Sequence, residues 1–281
     1  MNKHRTERLN LLGCSRGRIK LNNTTRKKLI QEYYSRRTKD YDAQKSRTWK
    51  NPQGFGAEVV KELSSAIATC KNGLVLEVGI GSGRNATVLL KKAKLHIVGV
   101  DISKEMLKLA KAKITGLKRS LSLVLGDIDH LPFGPRVFDA LVCMSTMHYF
   151  PSTKEILNGF HRILKNNGVV VYGDLTIHET DDKEFLERLE NTISKVHAKY
   201  HKPSEIKQLL EKSAFQVSRM KTISYRKAYR SLLEDKGEYF NVSPSVLDEF
   251  IHGADAGARR QYALSNNELT LYYTIIVAVK D

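Results

Sequence analysis

The chain has 281 residues, 41% apolar and 27% charged, enough to bury a sizeable core and too apolar for wholesale disorder. No stretch approaches the roughly 18 uninterrupted apolar residues that spanning a bilayer requires. Three cysteines, Cys14, Cys70 and Cys143, lie far apart without a CxxC pair. That excludes a disulfide scaffold or Cys-rich zinc site and fits a reducing compartment.

The net charge of +17 is unevenly placed, since residues 1–50 hold 15 Lys/Arg against 4 Asp/Glu and the remainder is only mildly basic. Such a block is either a solvated arm or an attractor of RNA phosphates, anionic lipid or an acidic substrate. Within it, Met1–Lys20 is Arg-rich with one acid, Glu7, superficially like an organellar transit peptide. It lacks the apolar stretch of a secretory signal. The cytoplasm is the expected compartment, with organellar import left open.

From Asn23 to about Lys50, Leu29, Ile30, Tyr33, Tyr34 and Arg37 follow helical spacing behind Asn23-Thr24-Thr25, which offer N-caps. This predicts an aromatic-faced helix with a basic back, able to act as a lid. Asn51-Pro52-Gln53-Gly54 marks a turn, so residues 1–50 read as arm and lid and 51–281 as the main domain.

Helix and strand then alternate. A helix over Ala57–Cys70 precedes a strand at Leu74–Val78; a helix over Arg84–Lys92 precedes a strand at Leu95–Val100. Ser103 caps a helix over Lys104–Ile114, and strands follow at Leu121–Leu125 and Val137–Met144. A helix over Ser152–Leu164 stops at Asn166-Asn167-Gly168 before a strand from Val169 to Leu175. Continuous apolar strands separated by helices predict a doubly wound, Rossmann-like α/β sheet, mostly parallel, with ligands beyond the strands' carboxyl ends. The rhythm breaks afterwards. Helices are expected over Thr180–Tyr200 and Pro203–Lys212, and alternating strands at Phe215–Tyr225 and Leu269–Lys280 form an antiparallel pair at one sheet edge. Helical insertions are expected at about 177–202 and 226–267.

The most informative element is Glu77-Val78-Gly79-Ile80-Gly81-Ser82-Gly83, which follows an apolar strand and opens a helix. Glycine there permits positive φ and close approach of a ligand to the backbone. The spacing is G-x-G-x-G, neither the G-x-G-x-x-G of a dinucleotide site nor a P-loop. Asp101 ends the next strand, where an acid can accept hydrogen bonds from ribose hydroxyls. The third strand ends in Gly126-Asp127-Ile128. Asp127 is placed to accept from an adenine amino group, with Ile102 and Ile128 sandwiching the ring.

Leu76–Gly83, Val100-Asp101, Gly126–Phe133, Phe138-Asp139 and Arg162–Gly168 together resemble class I S-adenosylmethionine-dependent methyltransferases, closest to the broad group that includes ubiquinone/menaquinone-type C-methyltransferases. The resemblance covers about residues 57–175 and, more weakly, 203–281. It implies a seven-stranded sheet with an antiparallel last strand. It also implies that Glu77 and Gly79, Gly81 and Gly83 hold the methionine moiety, Asp101 the ribose, and Asp127 and Ile128 the adenine. Tyr41-Asp42 matches a Tyr-Asp that related enzymes carry near the cofactor. Asn166-Asn167-Gly168 departs from the family's usual Pro-Gly turn, but Asn tolerates left-handed backbone.

Methyl transfer is an in-line displacement at an already activated carbon, so alignment dominates and a base is needed only when the nucleophile must lose a proton. The segment Cys143–Phe150 after the fourth strand faces the methyl in such a layout. Cys143 is counted with the cofactor contacts, and His148 is the candidate base or substrate-positioning group. The segment contains no Asn/Asp-Pro-Pro-Tyr of exocyclic-amine nucleic-acid enzymes and no Pro-Cys of cytosine C5 enzymes. Tyr33, Tyr34, Tyr41 and Trp49 are candidates for an aromatic cover over the sulfonium. Asp181/Asp182 and His197/His201 do not amount to a metal site, and none is expected.

The leading functional expectation is methyl transfer from S-adenosylmethionine to a small-molecule acceptor. The alternatives are an RNA methyltransferase, perhaps of tRNA type, using the basic arm, and a non-catalytic cofactor-binding protein; peripheral membrane contact is a further partner option for the arm.

Overall fold

The apolar runs become the strands of one seven-stranded sheet. The computed structural model describes residues 21–39, 41, 55–68, 70, 72–114, 120–234, 236–265 and 267–281. The arm Met1–Lys20 with Cys14, the segment from Asp42 to Lys50 with Trp49, and the expected turn at Asn51–Gly54 lie outside those residues.

Central β1 (Leu74–Val78) pairs in parallel with β2 (His96–Asp101) on one side and β4 (Phe138–Met144) on the other. Strand β3 (Leu121–Leu125) extends the first side and β5 (Leu164–Thr176) the second, both in parallel. Strand β7 (Glu268–Lys280) runs antiparallel between β5 and the edge strand β6 (Phe215–Ala228). The chain winds outward in opposite directions from β1 and β4, so their carboxyl ends flank the crevice where such sheets bind ligands.

The two-residue period of a strand sorts side chains into two cores. Leu76, Leu141, Cys143 and Tyr172 face the layer containing α5 (Thr153–Ile163) and α7 (Pro203–Glu211). Val75, Ala140, Val142 and Val171 face the layer of α2 (Phe55–Ala66), α3 (Arg84–Lys92) and α4 (Lys104–Lys113). Burying both faces explains why the strands read as unbroken apolar runs. Ser103 caps α4, as its position predicts, by accepting from the Met106 amide. Asn167 takes φ 59° in the Asn-Asn-Gly turn, which β5 spans as a continuous strand.

Several boundaries differ from expectation; α2 ends at Ala66 rather than Cys70, and β5 begins at Leu164 rather than Val169. Helix α1 (Asn23–Arg36) is capped one residue early by Asn22, gives way to a 3-10 turn at Arg37–Lys39, and does not run on as one continuous helix. Helix α6 (Phe185–Ile193) is much shorter than Thr180–Tyr200, because Glu184 takes left-handed φ 52° and Ser194 is extended at φ −142°. Strand β6 continues three residues past Tyr225. After it come a 3-10 turn at Tyr229–Leu232, α8 (Gly237–Phe240), α9 (Pro244–His252) and α10 (Ala256–Gln261). The 3-10 turn, α9 and α10 share with α6 a separate apolar cluster around Tyr262, Leu247 and Leu189, whereas Phe240 of α8 packs with Ile30 and Tyr33 of α1.

Candidate functional site

A cavity of about 520 Å³ opens over the carboxyl ends of β1, β2 and β4 and continues past β5 and β6. At one pole lies the glycine loop. The Gly79 and Ile80 amides both donate to the Val100 carbonyl, at 2.8 and 3.0 Å, tying the loop to β2. Gly79, Gly81 and Gly83 all have positive φ, at 70°, 53° and 74°. A Cβ at Gly79 would lie 2.2 Å from Thr146 Oγ1, so only glycine lets the β1 and β4 loops approach. Among the described residues, a Cβ at Gly81 would meet nothing nearer than the Tyr41 hydroxyl at 3.7 Å; the space it would enter is cavity.

Asp101 lines this pole and closes the loop itself. Oδ2 accepts from the Gly81 amide and Oδ1 from the Ser103 amide, each at 2.8 Å. Burial pushes its carboxyl up to about 6, and those amides only partly offset the rise. Glu77 lies just beneath, outside the lining. Its Oε1 accepts from Asn85 Nδ2 at 3.1 Å, its Oε2 is buried with no hydrogen-bond partner among the described residues, and burial pushes the carboxyl up to about 8. Ile102, Gly126 and Ile128 line the cavity beyond Asp101, and Tyr41 lies above the loop. Gly83 is the N-cap of α3, packed against Ala110 and Ile114.

Besides Glu77 and Gly83, two more expected contacts lie outside the lining. Asp127 does not line the cavity; Lys27 of α1 takes it at 2.5 Å and Asp129 at 2.6 Å. The Cys143 side chain is fully buried in the core toward α5, and burial raises its thiol well above the ordinary range, which leaves it inert. Strand alternation forces this, and the wall beside the loop is instead Met144, Ser145 and Thr146. Ser145 holds φ 53°, a costly conformation for a non-glycine residue, with its hydroxyl 3.0 Å from Tyr273 OH.

The opposite pole is aromatic, and of its rings the sequence offered Tyr33, Tyr34 and Tyr41 as an aromatic cover. Seven of the twelve tyrosines line the cavity: Tyr33, Tyr34, Tyr41, Tyr149, Tyr200, Tyr225 and Tyr273. Helix α1 supplies Ile30, Tyr33 and Tyr34, and Tyr34 OH lies 2.5 Å from Tyr149 OH. Arg37 stacks among Tyr33, Tyr34 and Tyr41, its carbon 4.9 to 5.9 Å from their ring centres. His148 lines this pole, and buried Asp174 accepts from it. Sequence reasoning missed Asp174, although a lone carboxylate in the run Val169–Leu175 was a usable signal. Glu190 also lines the pole, ion-paired with Lys236, which helps hold its carboxyl below the usual range despite burial.

Among the described residues, no three His, Cys, Asp or Glu side chains gather as a metal site, and no helix is long and apolar enough to cross a membrane. His197 bonds Glu187, His201 bonds Thr153, Asp182 pairs with Lys202, and Asp181 accepts from the start of α6 and from Tyr262.

Residues 76–172 match the Methyltransf_11 family, a methyltransferase domain. Over that span the chain carries a methyltransferase domain. Among curated relatives, the malonyl-[acyl-carrier protein] O-methyltransferase of Priestia megaterium is 29% identical over 151 residues, 52% of this chain and 51% of that protein. The demethylmenaquinone methyltransferase of Thermotoga maritima is 32% identical over 102 residues, 36% of this chain and 43% of that one. The chain spans about half the length of these relatives. Among solved structures, the YcgJ protein of Bacillus subtilis superposes with a TM-score of 0.72 at 19% identity, over 80% of this chain and 98% of that one; the likeness shows the fold. The matched part of the methyltransferase domain runs from β1 through most of β5 and includes the glycine loop, Asp101 and His148. Helix α1, Asp174, Glu190, Tyr200, Tyr225, Lys236 and Tyr273 lie outside it and build most of the second pole.

Proposed function

We propose that the chain transfers a methyl group from S-adenosylmethionine to a small-molecule acceptor by in-line displacement. The observation that carries this reading is a single cavity, joining a glycine-and-carboxylate pole to an aromatic one, within the size range of small-molecule sites. The first pole fits the cofactor. Glu77 offers a buried oxygen without a partner, Gly81 leaves open the space a Cβ would fill, and Asp101 presents acceptors at the mouth. In this assignment Glu77 and the Gly79–Gly83 loop hold the methionine moiety, Asp101 the ribose, and Ile102, Gly126 and Ile128 the adenine, with Tyr41 above. Asp127 and Cys143 act through the surrounding structure. When bound, the cofactor supplies an electrophilic methyl carbon; the protein aligns the acceptor and excludes water.

The acceptors in the relatives' names, a carrier-bound malonyl group and demethylmenaquinone, agree with a chamber rather than an open groove. An RNA substrate is favoured only by the charge of residues 1–50, and two cations of that segment point inward: Lys27 to Asp127 and Asp129, Arg26 to the His197 carbonyl. Labelled methyl offered to a total cell extract, fractionated into RNA, protein, lipid and small molecules, should enter the small-molecule fraction. Label in RNA alone refutes the proposal, and no label in any fraction leaves a binding protein. Asp101→Ala should weaken S-adenosylhomocysteine binding at least about tenfold, roughly 1.4 kcal/mol, by calorimetric titration; unchanged affinity removes the ribose role.

A further inference from the structure

We propose that Asp174 and His148 form a proton-accepting pair and that the acceptor group is a hydroxyl; this rests on the proposed methyl transfer. Asp174 is 1% exposed. Its Oδ1 lies 2.8 Å from His148 Nδ1 and accepts from the Leu175 amide at 2.9 Å, while Oδ2 accepts from the His148 amide at 3.2 Å. A carboxylate only accepts, so Nδ1 carries the proton and Nε2 presents its lone pair. Nε2 has no protein hydrogen bond among the described residues, and His148 lines the cavity. The ring is fixed on its other sides by Tyr149, at 4.0 Å between ring centres, and Tyr200, at 5.5 Å.

An amine attacks with its own lone pair and can shed its proton afterwards. A hydroxyl oxygen is too weak a nucleophile unless its proton is leaving, so a positioned base serves hydroxyl acceptors. The chamber's charges agree. Glu190 is ion-paired with Lys236, and both Asp174 oxygens already accept hydrogen bonds, Oδ1 from the His148 ring and the Leu175 amide and Oδ2 from the His148 amide, so neither carboxylate is free to hold an ammonium. In the step, the acceptor O–H proton passes to Nε2 while an oxygen electron pair forms the new O–CH₃ bond. The pair of the broken S–CH₃ bond stays on sulfur as a neutral thioether. Asp174 stabilises the resulting imidazolium, which returns its proton to water. His148 is the catalytic residue and Asp174 its positioning residue.

The test uses the full chain with S-adenosylhomocysteine bound and para-nitrophenol as probe, at a pH where the free phenol is mostly neutral. Proton transfer to Nε2 produces the phenolate absorbance band. The wild-type protein should show the band, His148→Gln should lose it, and Asp174→Asn should lose most of it. Unchanged S-adenosylhomocysteine affinity serves as the check that both variants fold. In methyl transfer to the same phenol, Asp174→Asn should lower kcat by about a hundredfold with little change in KM. A wild-type protein that binds S-adenosylhomocysteine but gives no band overturns the pair, as does a band that survives His148→Gln. Wild-type protein that fails to bind S-adenosylhomocysteine overturns the proposed function as well.

Discussion

At the level of single residues, the cofactor pole stores its chemistry in burial. The Glu77 carboxyl sits at about 8 and Asp101 at about 6, against ordinary values of 4.5 and 3.8. Both folded values lie above the unfolded ones, so the folded state binds more protons. That contribution is complete at low pH and fades as pH rises through 6 and then 8. The melting temperature of the ligand-free protein should therefore decline from about pH 5 to about pH 8.5, and less so in Glu77→Gln, which keeps an acceptor for Asn85. Equal slopes by scanning fluorimetry would remove Glu77 as the cause. Gly79→Ala should destabilise by at least about 2 kcal/mol, Gly81→Ala by about 1, and Thr146→Ala should partly rescue only the former, all by denaturant unfolding. The positive-φ turn at Gly79, Gly81 and Gly83 and the place of Asp101 at the end of β2 were legible because both follow from local spacing. Cys143 was misplaced because one step along a strand exchanges cavity for core, and Asp174 was missed because its partner His148 is close only in space.

At the level of elements, α1 is held by polar pins more than by apolar area: only Arg26, Ile30 and Tyr33 are buried along it. Asn23 and Lys27 reach Asp129, Gln31 the Ile102 carbonyl, Ser35 Glu105, and Arg26 the His197 carbonyl at 2.6 Å. A buried hydrogen bond from a charged donor outweighs a partly exposed ion pair. Arg26→Ala should accelerate amide exchange across residues 23–36 by about tenfold and Lys27→Ala by about threefold. An unchanged exchange pattern by mass spectrometry would mean the helix does not depend on these pins. The sequence announced this helix by its aromatic spacing, whereas its docking depends on Asp127, Asp129 and His197, about a hundred residues or more away. Likewise, apolar positions through Val196 suggested a long helix after Thr180. The chain instead unwinds at Ser194, so that His197 and the Tyr200 amide can reach Glu187.

For the whole molecule, charge and chamber overlap along the chain, since Ile30, Tyr33, Tyr34, Arg37 and Tyr41 of the basic segment line the cavity. Removing residues 1–20 leaves every described residue that lines the cavity in place. S-adenosylhomocysteine affinity and small-molecule methylation should stay unchanged; a fall in either would make the arm part of the chamber. The sheet carries a different consequence. Val169 of β5 pairs with Val279 of β7, and Tyr272 of β7 with Thr176 of β5, so the strand that seals this side arrives long after its partner has been synthesised. Pairings so distant in sequence close slowly. A nascent chain halted before Glu268 would present the flank of β5 as a naked, adhesive border. Speed of translation and access to chaperones thus become determinants of how much active protein a cell obtains.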